Sequence, residues 1–187
     1  MTGVQTCALP IYYFFKRQDG LWYQKAMEKL PALLNSTSML ICGEDLGLVP
    51  DSVPVVMDKL AITALKVQRM PSDNVPWYNP KNASYLNVVT ASSHDSSTLR
   101  QWWHEDRNLT QNYFNHQLGQ YGTAPWDLSP ELSEMIMKQH LYTDAMLAIF
   151  PIQEFLGTDE TLMNPNMDEE RINNPAVFPH YWRYRMH

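Results

Sequence analysis

Ser38-Met39-Leu40-Ile41-Cys42-Gly43-Glu44-Asp45-Leu46-Gly47 reads as a short apolar strand running into a glycine-framed acidic turn. Residues 38–42 supply the strand, and Gly43 and Gly47 let the backbone bend tightly around the two acids. The same construction returns downstream. Residues 85–91, with Leu86, Val88 and Val89, predict another strand, which ends at Ser92-Ser93-His94-Asp95. Between the two, residues 51–60 predict a helix. Residues 61–68 predict a further strand carrying Ile62, Thr63 and Val67, and a polar, proline-rich loop spans 71–84. Polar and acidic residues thus gather directly after strands, at their carboxyl ends.

Outward from this centre the alternation continues. Residues 21–34 interleave apolar and charged positions at helical spacing, with Pro31 as a late end or kink. Ser96, Ser97 and Thr98 cap a helix through Leu99-Arg100-Gln101-Trp102-Trp103. Helical text resumes over 108–118. Ser129 as cap with Pro130 at the first position starts another helix, to about residue 141. Residues 145–150 are the last strand candidate, and the tail from Asn164 is polar and loop-like as far as Tyr181. Strands alternating with helices in this way predict an α/β fold with a parallel sheet and crossover helices. In an α/β barrel the carboxyl-end rim is where active sites sit.

Composition narrows the function classes. The 187 residues suffice for one domain with a real core. A net charge of -6 leaves no basic stripe, which excludes nucleic acid as a partner. No run approaches the roughly 18 apolar residues of a membrane span. Cys7 and Cys42 lie far apart without metal-ligand spacing, which fits a reducing compartment and a cytoplasmic location. No cofactor or metal is called for. The three sequons, at Asn35, Asn82 and Asn108, read as ordinary polar turns. Aromatic pairs at Trp22-Tyr23, Trp102-Trp103 and Tyr181-Trp182 suit either burial or stacking on sugar faces.

The first eleven residues stand apart. Met1-Thr2-Gly3-Val4-Gln5-Thr6-Cys7-Ala8-Leu9-Pro10-Ile11 resembles the translation of a common short-read sequencing adapter. On that reading residues 1–11 are an artefact of library construction; the alternative is a genuine but unusual N-terminus. A targeting peptide fits poorly, for want of a basic start and a long apolar stretch.

The chemistry concentrates at two strand ends, Glu44-Asp45 and His94-Asp95. Paired carboxylates across a cleft are what glycosidic bond cleavage requires, one protonating the leaving oxygen and another stabilising the oxocarbenium-like centre. A single acid after a strand is more often a solvated loop residue or a helix cap.

The wording around these ends is similar to glycoside hydrolase family 77, the amylomaltases. Ile41-Cys42-Gly43-Glu44-Asp45-Leu46-Gly47 followed by Pro50 resembles the family's acid/base motif. Ser93-His94-Asp95-Ser96-Ser97-Thr98-Leu99-Arg100 resembles its later His-Asp-x-x-Thr-Leu-Arg motif. Pro151-Ile152-Gln153-Glu154-Phe155-Leu156-Gly157 is similar to its Pro-Leu-Gln-Asp-Leu-Leu-Gly segment. Arg171-Ile172-Asn173 with Pro175, then Tyr181-Trp182-Arg183-Tyr184-Arg185, resembles its closing stretch. The resemblance covers residues 12–187 and leans toward the plant-type disproportionating branch at Val67-Gln68-Arg69-Met70-Pro71-Ser72 and Trp102-Trp103.

The resemblance implies the C-terminal part of a (β/α)8 TIM barrel, left incomplete. It implies a 4-α-glucanotransferase moving α-1,4-glucan segments between donor and acceptor glucans such as maltooligosaccharides, starch or glycogen. Glu44 then matches the general acid/base, Asp95 the carboxylate that grips substrate hydroxyls, and His94 its hydroxyl-binding partner. Arg69, Gln153 and Trp102 are weaker substrate-contact candidates, and Asp45 reads as structural. The family's nucleophile, an aspartate in an Arg-x-Asp-His motif, has no counterpart in these 187 residues. The resemblance therefore implies a chain inactive by itself. The rivals are an α-glucan hydrolase of the amylase clan and a non-catalytic carbohydrate-binding protein. A part-barrel also implies open strand edges, an aggregation hazard.

Overall fold

A computed structural model describes residues 15, 17–44, 49–71, 75–179 and 182–186. The adapter-like segment 1–11 and Asp45 lie outside the described residues. The described residues form a four-stranded parallel sheet in the order β1-β2-β3-β4, with β1 at Cys42–Gly43, β2 at Thr63–Val67, β3 at Asn87–Thr90 and β4 at Leu147–Ala148. Spatial order follows chain order, as in a barrel wall, and among the described residues the sheet does not close. The helices are α1 (Asp19–Leu34), α2 (Ser52–Lys59), α3 (Leu99–Glu105), α4 (Arg107–His116), α5 (Pro130–Leu141) and α6 (Ile152–Leu156).

The expected alternation is present, with two local differences at the sheet margins. The apolar runs at 38–42 and 145–150 pair over only two residues each. Among the described residues β1 and β4 have one neighbouring strand apiece, so half of their backbone groups find no ladder. Single bonds flank the short ladders: Thr63 N–H donates to Ile41 O at 3.0 Å, and Ile149 N–H donates to Val89 O at 3.0 Å. Central β2 and β3, paired on both sides, form the longer ladder, each strand inside the stretch predicted at 61–68 and 85–91.

Helix starts follow their capping chemistry. Thr98 accepts from Gln101 N–H while the Gln101 side chain accepts from Thr98 N–H, a reciprocal cap on α3. Asp106 caps α4 through Asn108 N–H and Leu109 N–H, and Ser129 with Pro130 opens α5. Pro31 does not end α1, which runs on through Leu34. Among the described residues the connection from β2 to β3 carries only a 3-10 turn, Pro80–Asn82. The tail from Asn164, expected as plain loop, contains a second 3-10 turn, Met167–Glu170.

The core lies on the helical side. Leu99, Trp102, Trp103, Tyr113, Phe114, Leu132 and Ile136 form one buried cluster. Tyr113 receives the edges of Trp77 and Trp102 at centroid separations of 5.2 and 5.1 Å. Such edge-on pairs add about 0.5–1.5 kcal/mol each beyond area burial. The buried Trp103 N–H is satisfied by Pro125 O at 3.0 Å.

Candidate active site

A hollow of about 1080 Å³ runs along the other face of the sheet and past the C-terminal ends of β3 and β4. Side chains alternate across a strand, so the hollow takes Thr63 and Leu65 from β2, Val88 and Thr90 from β3, and Leu147 from β4. Beyond the strand ends Ser93, His94, Gln153 and Trp182 complete its mouth.

His94 and Asp95 sit together at this mouth. His94 Nε2 lies 3.1 Å from Asp95 Oδ2, and the His94 ring is 5.4 Å from the exposed Trp182 ring, centroid to centroid. The other Asp95 oxygen accepts from Asn173 Nδ2 at 2.8 Å. Asp95 remains half exposed, with a side-chain accessibility of 51%. One carboxylate oxygen is thus anchored from behind and the other is shared with an imidazole. A pair held in this way can present an acceptor and a donor to adjacent sugar hydroxyls.

Glu44 follows β1 directly and is exposed. The register sets Gly43 level with Ala64, and Ala64 level with Asn87. One step on, Glu44 has the alternation parity of Leu65 and Val88, which line the hollow. Glu44 and Asp95 themselves stand outside its lining. Two strand spacings separate β1 from β3, roughly 10 Å.

The remaining candidates have other surroundings. Arg69, just past β2, donates to Ser97 O and to Glu105 Oε2, the latter at 2.8 Å. Its guanidinium also lies 5.9 Å from the Trp102 ring centroid, and burial draws its pKa down against the pull of Glu105. Arg69 therefore braces the turn that carries His94 and Asp95, and it does not line the hollow. Trp102 is in the core, 5% exposed, with its ring committed to Tyr113. Gln153 does line the hollow while its amide donates to Glu170 O at 3.0 Å.

Sequence reasoning passed over three buried polar groups behind the mouth. Asn173 anchors Asp95. Glu170 pairs with Arg100, although burial still pushes its carboxyl above the usual range. Glu154 accepts from Ser92 Oγ and from Leu99 N–H; burial pushes its carboxyl up to about 7, against the opposing effect of those donors. Glu154 and Asn173 belong to stretches that were legible as motifs, but nothing in a motif says which polar residue turns inward.

The fold and the site together define a segment of an α/β barrel whose strand ends carry a carboxylate–imidazole pair beside an aromatic ring. The family model described as 4-alpha-glucanotransferase, glycoside hydrolase family 77, matches residues 11–187. Over 176 residues the chain is 43% identical to 4-alpha-glucanotransferase DPE2 of Oryza sativa subsp. japonica, covering 94% of this chain and 19% of the relative. It is 32% identical over 182 residues to the 4-alpha-glucanotransferase of Chlamydia muridarum, covering 92% of this chain and 33% of that protein. Among solved structures, the amylomaltase from Streptococcus agalactiae in complex with acarbose superposes with a TM-score of 0.64 at 15% identity, covering 87% of this chain and 31% of that one. The chain belongs to the 4-alpha-glucanotransferase family, glycoside hydrolase family 77. It spans about a fifth to a third of the length of these relatives.

Proposed function

We propose that the chain is the C-terminal part of the catalytic barrel of a cytoplasmic 4-α-glucanotransferase and that it supplies two of three catalytic carboxylates. The observation that carries this reading is the anchored His94–Asp95 pair at the mouth of the hollow, beside Trp182. In this scheme Glu44 protonates the glycosidic oxygen of an α-1,4-glucan as an aspartate nucleophile attacks the anomeric carbon. Glu44 then acts as base, taking the proton from the 4-hydroxyl of an acceptor glucan, whose oxygen displaces the enzyme carboxylate. Two inversions leave the anomeric configuration retained. Asp95 and His94 hold ring hydroxyls and favour the distorted sugar. Acarbose, bound by the Streptococcus agalactiae amylomaltase, is a fitting probe of the same hollow.

These 187 residues contain no Arg-x-Asp-His, so the nucleophile of this scheme is not supplied by them, and the chain alone is expected not to turn over. Maltotriose incubated with the chain and with the full-length protein of the same locus tests both parts. The full-length protein should yield glucose together with oligomers longer than maltotriose, and the chain alone should yield neither. Glucose without longer products would identify a hydrolase instead. Turnover by the chain alone would contradict the assignment of the nucleophile.

A further inference from the structure

The turn that presents His94 and Asp95 hangs between the end of β3 and the start of α3, and one side chain from elsewhere holds both of its ends. At one end Ser92 Oγ donates to Glu154 Oε1. At the other, Leu99 N–H lies 3.1 and 3.2 Å from the two Glu154 oxygens. Glu154 comes from α6 and is 3% exposed, so a carboxyl group has been taken out of water to make these contacts, which is costly unless it is well bonded. The contacts are not needed to start α3. Thr98 and Gln101 already cap that helix reciprocally. What Glu154 adds is a link between positions 92 and 99, which closes the turn into a loop of fixed span.

The rest of the surroundings act on the same turn. Arg69 donates to Ser97 O, Ser97 Oγ donates to Glu105, and Asn173 holds Asp95. Ser92, Ser97 and Leu99 are buried while His94 and Asp95 are exposed. The turn therefore has a pinned base and a free crest. We infer that Glu154 is a positioning residue that fixes the span of the 92–99 turn and so delivers Asp95 to Asn173 and His94 to the mouth of the hollow. The inference rests on the reading of His94 and Asp95 as the sugar-contacting pair.

Amide hydrogen exchange and acarbose titration on the 187-residue chain at low concentration test it with Glu154→Gln and Ser92→Ala. Gln leaves one acceptor oxygen to serve both ends and sets an amide N–H2, a donor, where Oε2 accepts from Leu99 N–H, and Ser92→Ala removes one end alone. Amides of residues 93–98 should exchange roughly tenfold faster in Glu154→Gln, and less so in Ser92→Ala, while Ile136 in α5 keeps its protection. Acarbose should bind roughly tenfold more weakly in Glu154→Gln with the unfolding midpoint of Ser92→Ala nearly unchanged. Unchanged exchange at 93–98 in both variants, or acceleration no greater there than in α5, would overturn the inference. If the parent chain binds no acarbose but the 93–98 amides still loosen selectively, the clamp stands and the sugar-contact reading falls.

Discussion

The two faces of the sheet are built to different standards. On the helical side Trp103, Tyr113 and Ile136 are completely buried, Trp103 packs edge to face with Phe114 and Tyr113 with Trp77 and Trp102, and the Trp103 N–H is satisfied. On the hollow side Leu147 of β4 and Ile149 just past it are 38% and 57% exposed, although both line the hollow. The dense side resembles a finished domain core, and the open side leaves apolar side chains in contact with solvent. Stability is concentrated in one face and the proposed chemistry in the other, and substitutions on the two should have separable effects.

The largest expected effect belongs to the dense side. Trp103→Ala should cost about 3–5 kcal/mol of unfolding free energy, measured by denaturant titration; a cost below ~1 kcal/mol would mean that this cluster is not the stabilising core.

Next comes the buried acid between the two faces. With its carboxyl pushed from 4.5 up to about 7, Glu154 holds a proton in the folded chain that the unfolded chain has released. Across that window stability falls as pH rises, by up to ~1.4 kcal/mol per pH unit, and is level above it. His140 acts in the opposite sense, since burial lowers its pKa from 6.5. Its neutral form is favoured by folding, so its contribution is present above 6.5 and is lost as pH falls. Comparing Glu154→Gln with the parent chain cancels the His140 share. The difference in unfolding free energy between them should change by about 3 kcal/mol from pH 4.5 to 7.5, and a flat difference would place Glu154 in a far wetter site.

Smaller effects fall on the open side. Asp95→Asn should weaken acarbose binding about tenfold or more and shift unfolding by less than ~1 kcal/mol; equal losses of binding and stability would blur the distinction between the faces. Ile149→Lys should leave unfolding within ~0.5 kcal/mol but reduce concentration-dependent association in sedimentation, because it places a charge on an apolar edge.

Much of this division was legible in advance. Periodicity located the two central strands, and capping chemistry located α3 and α5, because Thr98, Ser129 and Pro130 act on their own neighbours in sequence. Strand ends also revealed the His94–Asp95 turn. What stayed hidden depends on contacts distant in sequence. Glu154 looks like a polar helix residue until Ser92 and Leu99 close around it. Asn173 sits in a polar tail that reads as loop until it meets Asp95. Trp102 offered a ring suited to sugars, yet Tyr113 claims it for the core. The short ladders of β1 and β4, each with one neighbouring strand among the described residues, depend on pairing that composition does not register.

A crystal structure of the chain with acarbose would test the central claim most directly. One sugar ring should lie against His94 and Asp95 with Glu44 at its far side. Acarbose seated instead in the cleft of about 680 Å³ behind the sheet, among Lys66, Trp77 and Gln117, would contradict it.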